Sequence, residues 1–161
     1  MLSNKDWLLK AYQVAQQSPD PSTQNGAVIP YNSAQWVAAC NTFPEGVIGC
    51  EERLERPLKY QFVEHAERGV IYAAAKKGIA LDGLTMYVPW AACSCCARAI
   101  ICSGIRRVVT HQRMMDLTPP HWQESINHAM TMLREAGVEV VTLNEVLFGP
   151  VIRFNGQIWQ P

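Results

Sequence analysis

Charge is scarce in this chain and balanced where it occurs. Charged residues make up 17% of the 161 residues, with 14 Lys+Arg against 14 Asp+Glu. A protein that coats nucleic acid needs a basic surplus, and there is none, so no stable nucleic-acid binding is expected. Net charge says nothing of a local basic pocket, which is all that one phosphate needs. No apolar run approaches the roughly 18–20 residues that span a bilayer, so no membrane partner is expected. Met1 to Lys10 lacks the basic-then-apolar layout of a secretion signal. Repeats, low-complexity tracts and composition shifts are also missing. The expectation is one domain over residues 1–161, with residues 143–161 as a peripheral extension. Apolar residues, at 48%, are ample for a single core.

Cysteine is what the chain does not lack. Six are present, and four of them (Cys93, Cys95, Cys96 and Cys102) crowd into ten residues. That clustering suits metal binding better than a disulfide framework spread along the chain. It points to a reducing compartment and a cytoplasmic protein.

The pattern of elements predicts an α/β domain. Ser3-Asn4-Lys5-Asp6 has the form of a capping box, followed by an apolar stripe at Trp7, Leu8, Ala11, Val14 and Ala15. Residues 27–29 and 36–40 read as strands joined by the turn residues Pro30-Tyr31-Asn32-Ser33. Residues 41–57 read as a long loop, a kind of segment that is usually functional or mobile. Helices are expected over 63–77 and 93–103, with strands over 85–90, 107–110 and 138–142. A helical stripe runs through Trp122, Ile126, Ala129, Met130 and Leu133. Asn155-Gly156 suggests a hairpin in the tail. Strands joined through helices should be parallel, and the first hairpin adds an antiparallel edge. The result is a three-layer α/β/α domain with a mixed five-stranded sheet.

Two segments carry the chemistry: Glu64-His65-Ala66-Glu67-Arg68 and Trp90-Ala91-Ala92-Cys93-Ser94-Cys95-Cys96. Each sits where a strand or loop hands over to a helix. His65, Cys93 and Cys96 supply one imidazole and two thiolates. Three protein ligands leave one tetrahedral position of zinc (Zn2+) open, the catalytic rather than the structural arrangement. Helix starts favour thiolates. Two thiolates cancel the charge of the metal and blunt its acidifying effect, so a carboxylate must help to take a proton from water. Glu67 is the natural catalytic group. His-x-Glu followed by Cys-x-x-Cys is the signature of zinc deaminases that act on nucleobases. Cys95 is read as a small buried thiol rather than a ligand. His111, His121 and His128 are read as surface or cap residues, and Trp90 as either a wall of the site or a packing residue.

With both motifs in hand, the chain resembles the cytidine and deoxycytidylate deaminase superfamily, and within it the deoxycytidylate (dCMP) deaminases. Asp20-Pro21-Ser22-Thr23-Gln24-Asn25-Gly26-Ala27 resembles the D-P-N-T-Q-V-G-A segment. Asn41-Thr42-Phe43-Pro44-Glu45-Gly46 resembles N-G-x-P-x-G. His65-Ala66-Glu67 matches H-A-E, and Cys93 to Ile101 is similar to C-x-x-C-A-x-x-I-I. The resemblance covers about residues 7–141. It implies a cytidine-deaminase-like fold, a zinc cofactor and hydrolysis of a C–N bond, dCMP giving dUMP and ammonia. It also implies substrate contacts at Asn41 (the sugar), at the helix-start backbone around Ala66, and at Gln24. A homo-oligomer, hexamer or dimer, is implied too, as is a response to dCTP and dTTP.

Three positions depart from the pattern: Ala92 for Pro, Gly69 for Asn and Thr42 for Gly. The lost side chains suggest room for a 5-substituted dCMP. Two other readings stay open. One is a deaminase of tRNA or another nucleobase, which would need a basic groove. The other is a non-catalytic zinc module, which would not need Glu67 and would prefer a fourth protein ligand.

Overall fold

The computed structural model of the chain describes residues 2–90 and 92–161. Helix α1 (Asn4–Ala15) starts on the expected box. The Ser3 hydroxyl accepts from the Asp6 amide, and the Asp6 carboxylate accepts from the Ser3 amide. One stripe of α1 (Trp7, Leu8, Ala11, Tyr12 and Ala15) is buried. Strands β1 (Gly26–Pro30) and β2 (Trp36–Cys40) form an antiparallel hairpin. Its turn is held by Asn32, whose Oδ1 accepts from the amides of Ala34 and Gln35.

Strand β3 (Thr85–Tyr87) lies antiparallel to β1, whereas β4 (Arg107–His111) and β5 (Glu139–Leu143) continue the sheet in parallel. The strand order is β2-β1-β3-β4-β5. This is the expected mixed five-stranded sheet, with the hairpin as its antiparallel edge.

Alternation along the strands separates the two faces. Ala27, Ile29, Met86, Val88 and Val108 enter the main core. There they meet Val70 of α3 (Ala66–Lys76), Ile100 of α4 (Ser94–Cys102) and Leu133 of α6 (Pro120–Glu135). Val28, Tyr87 and Val109 point the other way, onto Trp7 and Ala11 of α1. Gly26 explains how closely α1 can approach. A Cβ there would stand 2.4 Å from the Ala11 carbonyl oxygen and 2.5 Å from the Ala15 nitrogen.

Two short helices and one turn differ from expectation. Residues 41–57 include a 3-10 turn at Glu52–Leu54, and α2 (Lys59–Phe62) follows it. Helix α5 (Gln112–Asp116) fills the connection after β4. Segments of three to five residues are shorter than one amphipathic repeat, so periodicity does not reveal them. Helix α3 starts at Ala66 rather than Val63, because Glu64 is still held in an extended bridge to Thr42. His111 stands at the cap position of α5 and is fully buried. Its Nε2 faces the Glu145 carbonyl and its Nδ1 the Tyr12 hydroxyl. A carbonyl only accepts, so the proton sits on Nε2 and Tyr12 donates to Nδ1.

Past β5, the chain returns across α1. Leu147, Ile152 and Phe154 are buried with Leu8, Tyr12, Trp90 and Ile126. Strands β6 (Ile152–Phe154) and β7 (Gln157–Trp159) pair around Asn155-Gly156, both at positive φ as a tight hairpin turn needs. Among the described residues, no helix is long and apolar enough to cross a membrane.

Candidate active site

The starts of α3 and α4 meet on the inner face of the sheet. His65 is the residue before α3, and Cys93 is the residue before α4. Cys96 sits one turn into α4 and is fully buried. His65 Nδ1 lies 3.6 Å from the Sγ of Cys93 and 3.6 Å from that of Cys96, and the two sulfurs are 3.5 Å apart. All six cysteines are free.

These separations can be tested against a tetrahedral zinc ion. Zinc–sulfur bonds of ~2.3 Å and zinc–nitrogen bonds of ~2.0 Å set edges of about 3.8 Å (S···S) and 3.5 Å (N···S). The observed triangle agrees within a few tenths of an ångström, so the donor set fits zinc in both chemistry and size. Without the ion, the cysteines compete for one proton. The hydrogen bond from Cys96 holds the Cys93 thiol down, to about 3, and the same contact pushes the Cys96 thiol up. A cation at the centre would favour both thiolates.

Glu67 lies one helical step into α3 and is 3% exposed. It lines the same cleft as His65 and Cys93. Its Oε2 has no hydrogen-bond partner among the described residues. Burial pushes its carboxyl up to about 7, opposed by the neighbouring charge of His65. A carboxyl poised near neutrality suits proton transfer in either direction.

The predicted substrate residues divide. Asn41 is buried and lines the cleft. Its side chain also serves the scaffold: Oδ1 accepts from the Ala66 amide and Nδ2 donates to the Thr23 carbonyl. The Ala66 amide is therefore already engaged, by Asn41. Gln24 points away from the cleft. It donates to the Ser18 carbonyl and accepts from the Arg153 amide, which ties the tail hairpin to the loop before β1. Cys95 is exposed rather than buried and stands outside the metal triangle, against Arg98. Gly69 packs on β2, where an added Cβ would meet that of Ala39 at 3.1 Å. Ala92 is in the main core. Neither departure widens the cleft.

Several lining residues have no sequence motif. Lys59, 6% exposed, forms a 2.7 Å ion pair with Asp20, which also accepts from the amides of Ser22 and Thr23. Arg56 donates to the Ser22 hydroxyl and has no acidic partner among the described residues. Trp122 of α6 stands edge-on to His65, Tyr60 and Trp90. Trp90 does both things considered for it: it lines the cleft, and it packs on Phe154 while donating to Thr118. A run of basic or acidic residues would have drawn notice to the loop, but Arg56 and Lys59 lie in mixed charge, and Trp122 falls on an ordinary amphipathic stripe.

Residues 1–112 match the family model of the cytidine and deoxycytidylate deaminase zinc-binding region. The chain belongs to that family, whose members are zinc-dependent hydrolases of C–N bonds. It is 34% identical over 141 residues to an uncharacterized deaminase in the luxG 3' region of Aliivibrio fischeri, covering 85% of this chain and 93% of that one. It is 40% identical over 98 residues to the deoxycytidylate deaminase of Enterobacteria phage T4, covering 58% of this chain and 47% of the phage protein. The chain thus spans about half the length of that phage enzyme. Among solved structures, the dCMP deaminase of cyanophage S-TIM5 superposes with a TM-score of 0.62 at 20% identity, over 87% of this chain and 96% of that one. That likeness establishes the cytidine-deaminase-like fold.

Proposed function

We propose that the chain deaminates a cytosine nucleotide, dCMP giving dUMP and ammonia, with His65, Cys93 and Cys96 as zinc ligands and Glu67 as the catalytic acid/base. The observation that carries this is Glu67 itself. An orphaned, buried carboxylate beside a three-ligand metal triangle has no structural use, and a structural zinc site would not need it. Zinc, when bound, supplies the Lewis acidity that makes water a nucleophile at neutral pH. Glu67 takes one proton from the attacking water and gives it to the ring nitrogen, then carries the second, from the hydroxyl formed at the attacked carbon, to the departing amine. Trp90 and Trp122 wall the base and keep bulk water out. Asn41 fixes the start of α3 and faces the sugar.

Arg56, together with the Lys59–Asp20 pair, places a net positive charge at the cleft, and that charge favours a phosphorylated substrate. The relatives point the same way, since the T4 and cyanophage proteins are dCMP deaminases. With Gly69 packed against β2 and Ala92 in the core, unmodified cytosine is the base we assign. The reading also includes a homo-oligomer in a reducing, cytoplasmic compartment. Light scattering on the eluting protein measures the assembly.

The deciding experiment is an ammonia-release screen over cytosine, cytidine, deoxycytidine, CMP, dCMP and dCTP. dCMP is expected to be turned over fastest. Glu67→Gln should keep one zinc per chain and lose turnover by a factor of roughly 100 or more. Undiminished activity in that variant sinks the assignment of Glu67.

A further inference from the structure

Among the described residues, Asn25 is the one buried cleft residue with an unused acceptor that the mechanism above leaves aside. It is 2% exposed and lines the cleft just before β1. Its Nδ2 donates to the Trp90 carbonyl at 3.1 Å, while its Oδ1 has no hydrogen-bond partner among the described residues. A buried amide normally has both ends satisfied, so an orphaned oxygen at a cleft asks for a ligand donor.

The tether to Trp90 locates the amide. Trp90 stands three residues before Cys93, and Asn25, Trp90, His65 and Cys93 line the same cleft. The same bond fixes its orientation. Flipping the amide would set its oxygen against the Trp90 carbonyl, acceptor against acceptor.

We infer that Asn25 Oδ1 accepts a hydrogen bond from the exocyclic amine of the base, the group the reaction expels, and so discriminates substrate from product. The inference rests on the deaminase reading. The base of a cytosine nucleotide has a single donor group, the exocyclic amine, whereas its ring nitrogen and its other exocyclic atom accept. At the reacting end, that amine is the only atom group able to satisfy Asn25. After hydrolysis the amine has left as ammonia and a carbonyl oxygen stands in its place. That oxygen only accepts, so it faces Asn25 Oδ1 unpaired, and the product is held less well than the substrate. Asn25 is in this sense a specificity-determining residue that favours product release.

The test is equilibrium binding by calorimetry, on zinc-loaded Glu67→Gln protein, with dCMP and dUMP as the ligands. With Asn25 present, dCMP should bind roughly 10-fold or more tighter than dUMP. Adding Asn25→Val should bring the two affinities within about threefold of each other. An unchanged ratio in the double variant overturns the proposal. So does equal binding of dCMP and dUMP while Asn25 is in place, a measurement that needs no change at position 25. Ammonia release by the parent protein is scored separately. Release without an Asn25-dependent binding ratio removes this proposal alone; an Asn25-dependent ratio without release removes the deaminase reading.

Discussion

The Lys59–Asp20 pair gives the sharpest stability prediction, because both partners are almost sealed from water. Their side chains are 7% and 2% exposed, and the contact is 2.7 Å. Lys59→Met would leave the Asp20 carboxylate buried beside an apolar chain of similar length. Removing one partner of a buried pair costs about 3–5 kcal/mol. Asp20 keeps its bonds from the Ser22 and Thr23 amides, which still hold the charged form. The lower end, about 3 kcal/mol, is therefore expected, or a fall of roughly 6–12 °C in Tm for a domain of this size. Asp20→Asn alone should cost a similar amount, since it strands the ammonium.

The double variant Asp20→Asn/Lys59→Met removes both charges and keeps an oxygen for the two amides. It should recover at least about 2 kcal/mol relative to the sum of the singles, as coupled partners do. Urea unfolding of the zinc-loaded protein at constant m-value measures all four corners of the cycle. Additive losses, or a Lys59→Met cost below about 1 kcal/mol, would show that the pair does not hold this wall of the cleft.

Gly26→Ala should destabilise by about 3 kcal/mol or more, because its Cβ would land on α1 backbone that cannot give way; recovery of well-folded protein with native Tm would refute that close approach. Tyr12→Phe should cost about 1–3 kcal/mol by leaving the buried His111 Nδ1 without its donor, read by urea unfolding, and no loss would mean that the Tyr12–His111 bond contributes nothing to stability. In metal-free protein, the contribution of Glu67 to stability should fall as pH rises, against the opposite slope of the depressed Cys93 thiol. Glu67 goes from 4.5 to about 7 on burial, so the folded state holds a proton that the unfolded chain releases between those values. The contribution is intact below pH 4.5 and declines up to about pH 7, by at most about 3 kcal/mol, and it should appear as a pH-dependent difference in stability between the parent and Glu67→Gln in chelator-treated samples; a difference that does not change with pH would refute it.

The sequence makes the reacting groups legible because their placement is local. His65 and Glu67 are two residues apart, and Cys93 and Cys96 three, each pair at a helix start. One turn of backbone therefore aims each pair at the same point. The groups that shape the rest of the cleft have no such local mark. Lys59 reads as one more loop charge until the fold brings it 2.7 Å from Asp20, 39 positions earlier. Asn25 looks like a strand-entry polar residue until its partner turns out to be the Trp90 carbonyl, 65 positions away. Gln24 shows the reverse pattern. Its motif suggests the substrate, yet its amide is spent on the chain itself.

The family match ends at residue 112, but the cleft does not. Trp122 and Ile126 come from α6, beyond that boundary, and both line it. The tail acts from behind. The Arg153 carbonyl accepts from the Gln24 amide, and the Gly156 amide donates to the Ser22 carbonyl, clamping the loop that carries Thr23 and Asn25. Loop and clamp are separated by more than a hundred residues of chain, so neither half sets the wall alone. In the proposed function the metal triangle and Glu67 carry the reaction, and they lie inside the matched region. What the cleft admits is decided jointly by the 20–25 loop, the 56–60 segment and the C-terminal third. In the proposed function, changes to those segments should alter substrate choice while leaving the triangle of His65, Cys93 and Cys96 intact.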